Sequence, residues 1–114
     1  MNPESHITLC AEDELIEGES KGFLPEETTD KQSVFLVRKN GNIYGYINSC
    51  PHTGAPLEWM PDQFLSSDGE HLQCALHGAR FNITSGQCVS GPCVNQSLTP
   101  ITTEIIGQQI IWKK

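Results

Sequence analysis

Apolar positions along this chain of 114 residues fall into short runs separated by turn residues. His6-Ile-Thr-Leu-Cys10 alternates as a strand does. Ser33-Val-Phe-Leu-Val-Arg-Lys39 is apolar and β-branched, and Asn42-Ile-Tyr-Gly-Tyr-Ile-Asn48 returns from it after Asn40-Gly41, a strong two-residue hairpin signal. Leu98 to Ile106 and Gln108 to Trp112 read as a second hairpin about Gly107. Glu12 to Glu17 reads as a polar turn with Leu15 and Ile16 tucked in, and Glu58 to Phe64 as a helical turn or two at most. No segment sustains a long amphipathic helix, and there are no repeats or low-complexity tracts. The pattern predicts an all-β fold in a single domain, 1–114. Residues 1–48 and 95–114 form a base of antiparallel strands that holds the inserted residues 49–94.

Charge sharpens this picture. The net charge is −7, and residues 1–31 carry nine acids against Lys21 and Lys31, whereas the remainder balances at five against five. An acidic third argues against nucleic acid, whose affinity rests on Lys and Arg contacts to phosphate. It reads first as a solvated face, and second as a docking surface for a basic partner. No apolar run approaches membrane-spanning length. Met1-Asn-Pro-Glu-Ser-His6 has neither the basic start nor the apolar stretch of a signal peptide. A cytoplasmic, monomeric protein is expected. In a reducing compartment its five cysteines are ligands or thiols rather than disulfides.

The candidate chemistry lies in Cys50-Pro-His52 and Cys74-Ala-Leu-His77, each His closely followed by a glycine, Gly54 and Gly78. Two Cys and two His on short loops supply four coordination positions. Zinc fingers mostly pair Cys with Cys and His with His; here each loop contributes one of each. A binuclear site, with the two Cys on one metal and the two His on another, explains the pattern. One zinc on all four is the rival reading.

The wider segments Cys50-Pro-His-Thr-Gly-Ala-Pro-Leu57 and Cys74-Ala-Leu-His-Gly-Ala-Arg-Phe81, with Thr84-Ser-Gly86 and Gly91-Pro92, resemble the cluster-binding region of Rieske-type ferredoxins. The likeness covers nearly the whole chain; it departs in Glu58 to Ser67, which reads as an insertion. The resemblance implies a Rieske-like antiparallel β-sandwich base, 49–94 as a cluster-binding subdomain, and one [2Fe–2S] cluster. It implies Cys50 and Cys74 as thiolate ligands of one iron, His52 and His77 as Nδ1 ligands of the other, and Gly91-Pro92 packed over the cluster. Two neutral imidazoles in place of two thiolates ease reduction, so Rieske potentials lie at roughly −150 to +300 mV. High-potential members add a disulfide between the loops and Ser and Tyr hydroxyls that donate to sulfur. The corresponding residues here are Ala55, Leu76, Ala79 and Phe81, which resembles the low-potential, soluble branch.

The function implied is a one-electron carrier, not itself an enzyme, between a flavin-dependent reductase and a terminal oxygenase or other acceptor. Too little chain remains for an oxygenase catalytic domain. The alternatives are the small Rieske-like subunit of a larger reductase, such as assimilatory nitrite reductase, and a zinc-stabilised interaction module. Other residues have plainer readings. Cys88 and Cys93 are expected as buried thiols, with extra ligands or a redox pair as the other possibility; Cys10 and Trp112 are expected in the core. His6 and His71 are lone histidines on surface or strand positions. Trp59, Met60, Phe64 and Leu65 read as a small satellite core, with a partner-docking rim as the second reading.

Overall fold

The structure, a computed structural model, describes residues 6–23, 33–51, 57, 62–74, 78–91, 94 and 96–113. Among these the chain is β almost throughout. Its strands are β1 (His6–Ala11), β2 (Ser20–Phe23), β3 (Val34–Lys39), β4 (Asn42–Ile47), β5 (His71–Gln73), β6 (Arg80–Asn82), β7 (Cys88–Ser90), β8 (Thr102–Ile106) and β9 (Gln109–Lys113), with one 3₁₀ turn at Glu12–Glu14. They form three antiparallel sheets of three strands, ordered β1-β9-β8, β2-β3-β4 and β5-β6-β7.

Turn chemistry sets both hairpins of the first two sheets. Asn40 (φ 55°) and Gly41 (φ 79°) both take positive φ, the conformation that a two-residue type I′ connection demands and that Asn and Gly tolerate best. The Glu17 carboxylate accepts the N–H groups of Asn40 and Gly41 at 2.7 and 2.8 Å. Those two N–H groups hold that carboxyl below its usual range. Gly107 and Gln108 make the matching turn between β8 and β9.

Strand β3 is the shared wall of the molecule. Val34, Phe35, Leu36 and Val37 are all fully buried, which explains why the sequence there is a continuous apolar run rather than an alternation. Phe35 and Val37 face one core, with Tyr46, Phe64, Leu72, Phe81 and Leu98. Leu36 faces a second, with Cys10, Leu15 and Ile110, and Val34 a third, with Ile7 and Trp112. The sheet of β2-β3-β4 thus lies between the β1-β9-β8 sheet and the short strands β5-β6-β7. Cys10 and Trp112 occupy core positions, as expected.

Three details differ from expectation. Ser20–Phe23 is a strand that the sequence pattern does not announce. Leu98 to Ile101 does not belong to the last hairpin. It runs along β4, with Ile47 N–H donating to Thr99 O and Ile101 N–H to Gly45 O, before the chain crosses to β9 at Thr102. Leu15 is buried, but Ile16 is 57 % exposed, because a short turn can bring only one of two adjacent side chains to the core.

Candidate metal centre

Strand β4 delivers the first loop. It ends at Ile47, and Cys50 follows three residues later, 1 % exposed. Strand β5 delivers the second. It ends at Gln73, and Cys74 follows at once, 0 % exposed. The Cys74 N–H donates to Ala79 O (2.8 Å) and Gly78 N–H to Cys74 O (3.0 Å), so the second loop is pinched shut between Cys74 and the start of β6. Gly78 closes it with φ 66°. Cys50, Cys74, Ala79 and Phe81 all belong to the core that contains Phe35 and Phe64.

The third segment lies against the second loop. Gly91 has φ 103°, and a Cβ built on it would stand 2.8 Å from the Ala79 Cα. No side chain fits there without moving backbone, so Gly91 is a point of close approach between the β7 end and the Cys74 loop. Cys88 is buried in the same core, the burial expected of it; its Sγ donates to Ser90 O at 3.3 Å. His52, Gly54, Ala55, Leu76, His77, Pro92 and Cys93 lie outside the described residues. Among the described residues no group of three His, Cys, Asp or Glu gathers in a metal-binding arrangement, as follows when two of four expected ligands are outside that set.

The described donors fit a cluster. Two loops far apart in sequence bring their cysteines into one dry core, where soft thiolate sulfur suits iron–sulfur binding. The residues around them (Leu57, Phe64, Ala79, Phe81) are fully buried and would exclude water from it. Burial first, and the neighbouring Tyr44 second, push the Tyr46 hydroxyl up to about 12; that hydroxyl donates to Ile83 O at 2.6 Å and braces β4 against the turn after β6.

The insertion departs from one expectation. Phe64 is neither a satellite nor a docking residue. It is fully buried in the main core, stacked on Phe35 with centroids 4.3 Å apart and planes at 10°. The backbone beside it is strapped to the outer edge of β2. Gly22 N–H donates to Asp62 Oδ1 (2.8 Å), the Ser20 hydroxyl to Asp62 O (2.7 Å), and Phe64 N–H to Ser20 Oγ (3.2 Å). Leu65 packs against the same core. Trp59 and Met60 lie outside the described residues. Sequence reasoning also missed Asn48, a buried polar residue two positions before Cys50. Its only signal was an amide at the end of an otherwise apolar strand.

The profile of the Rieske [2Fe-2S] domain matches residues 5–109. This chain belongs to the Rieske [2Fe–2S] family. The Rieske domain carries one [2Fe–2S] cluster, the cofactor expected from the sequence in preference to zinc. Two of its relatives align with it over most of their length. The ferredoxin component of a naphthalene 1,2-dioxygenase system from Pseudomonas aeruginosa is 31 % identical over 95 % of this chain and 94 % of its own. The ferredoxin component of a p-cumate 2,3-dioxygenase system from Pseudomonas putida is 30 % identical over 91 % and 81 %. Among solved structures, the ferredoxin of carbazole 1,9a-dioxygenase from Nocardioides aromaticivorans IC177 superposes with a TM-score of 0.73 at 23 % identity, covering 95 % of this chain and 96 % of that one. The Rieske fold expected from the sequence is therefore the fold observed.

Proposed function

We propose that this Rieske protein is a one-electron carrier that takes an electron from a flavin-dependent reductase and delivers it to the terminal oxygenase of a multicomponent dioxygenase system. The observation that carries this reading is the convergence of Cys50 and Cys74 in one buried core, on a chain that aligns with 94 % of a dioxygenase ferredoxin component. In this reading residues 49–94 work as the cluster-binding part on the strands of the base. Cys50 and Cys74 hold one iron and His52 and His77 the other. The cluster supplies a site that gains and loses one electron. The protein's own task is to keep that site dry on the core side through Leu57, Ala79 and Phe81. The protein works as a monomer in the cytoplasm; among the described residues no helix is long and apolar enough to cross a membrane.

Iron and acid-labile sulfide are expected at about two of each per chain, with the low average g value of mixed ligation in EPR of the reduced state. Reduction by a flavin-dependent reductase and turnover of a dioxygenase component test the carrier role. A cluster-loaded protein that exchanges electrons with neither, but co-purifies within a larger reductase, favours the small-subunit alternative.

The potential is expected at the low end of the Rieske range, because Ala79 and Phe81 offer no hydroxyl to a sulfur acceptor. Ala79→Ser and Phe81→Tyr are each expected to raise it with the cluster intact. One added hydrogen bond of about 1 kcal/mol favouring the reduced form corresponds to roughly 40 mV for one electron. Voltammetry decides; unchanged or lowered values would mean that neither side chain faces a sulfur.

A further inference from the structure

We infer that Asn48 is a positioning residue whose buried carboxamide clasps the loop bearing Cys50 and His52, and so governs how firmly that loop holds the cluster and how its histidine is set. The inference rests on the ligand reading proposed above and deepens it. Asn48 is 6 % exposed and Leu57, at the far end of the loop, 0 %. Asn48 Oδ1 accepts the Leu57 N–H at 2.8 Å, across nine positions of sequence. Asn48 Nδ2 donates to Ser33 Oγ at 3.2 Å, the Ser33 hydroxyl donates to Phe23 O at 3.2 Å, and the Asn48 N–H donates to Ser33 O at 2.9 Å. A directed relay of donors therefore runs from Leu57 through Asn48 and Ser33 to the end of β2.

The chemistry of this relay singles out an amide. Leu57 needs an acceptor. Ser33, whose hydroxyl proton is committed to Phe23, needs a donor. A carboxamide offers both in one plane; a carboxylate offers acceptors only, and an alkyl group neither. The Leu57–Asn48 bond is buried, so water does not substitute for a lost partner there, and leaving the Leu57 N–H unpaired costs its full desolvation. With it in place, Leu57 on the far side of the loop is tied through Asn48 to the β2-β3-β4 sheet, which shortens the span of chain that closes around the cluster.

Cluster-loaded wild type, Asn48→Ala and Asn48→Asp are compared by the rate of cluster loss to a chelator, by pulsed-EPR couplings of the histidine nitrogens, and by hydrogen exchange over the peptide containing Leu57. Asn48→Ala is expected to lose its cluster about tenfold faster, with altered nitrogen couplings and lost protection at Leu57. Asn48→Asp keeps the acceptor for Leu57 and sets a carboxylate against Ser33, so it is expected to keep protection at Leu57 and to lose cluster at an intermediate rate. Wild-type loss rate and wild-type couplings in Asn48→Ala would overturn the clasp. Should Asn48→Ala not fold, Asn48→Asp decides: a retained cluster with Leu57 protected supports the clasp, and a lost cluster with Leu57 still protected overturns it. A wild-type protein without the mixed-ligand EPR signal fails the ligand reading itself, which keeps the two outcomes apart.

Discussion

Cys50→Ser and Cys74→Ser are each expected to give colourless protein that unfolds well below the wild-type temperature. Two effects add. The hydroxyl is a poor ligand for iron beside a thiolate, so the cluster and the folding free energy coupled to it are lost. In addition, each serine places a hydroxyl in the dry core with Phe81 and Leu72, at about 1–3 kcal/mol where it finds no partner. His52→Ala and His77→Ala are expected to lose colour nearly as completely. Visible absorption, iron content and thermal melting follow all four. Full wild-type colour in any one of them would remove that residue from the ligand set.

Phe64→Ala is expected to cost about 3–5 kcal/mol of stability, the range for emptying a large aromatic site in a core. Phe64 stacks on Phe35 and shares the core of Cys50 and Cys74, so the cavity opens in the core that holds both proposed ligands, and faster cluster loss should accompany the lower midpoint in urea. A docking role predicts the opposite pattern, with stability unchanged and slower electron exchange with the partner. Ser20→Ala, which breaks two hydrogen bonds of the same strap, should destabilise in the same direction by a smaller amount, about 1–2 kcal/mol.

What the sequence made legible were the features whose cause is local. Asn40-Gly41 had to be a turn because both residues bear positive φ cheaply. The apolar, β-branched run from Val34 to Val37 read as a strand, but that it is fully buried between separate cores shows only in the structure. The Cys and His pairs stood out because ligand spacing is written along a few residues. What stayed hidden depends on partners distant in sequence. Ser20-Lys-Gly-Phe23 has no alternation and a glycine in it; it is a strand because β3 lies on one side and Asp62 to Phe64 on the other. Leu98 to Ile106 reads as one strand, yet its first half pairs with β4 and its second with β9. Asn48 and Phe64 look ordinary until Leu57, Ser33 and Phe35 are brought beside them.

The register of β1 against β9 sets His6 opposite Lys113. Chain entering at one and leaving at the other passes through neighbouring strands, about 5 Å apart. A longer polypeptide that takes up this unit therefore needs a seam no wider than one strand spacing, and its own fold need not open to admit the guest. The same arrangement suits a freely diffusing carrier and a relay spliced into a larger chain, where tethering would replace collision as the step that brings donor and acceptor together.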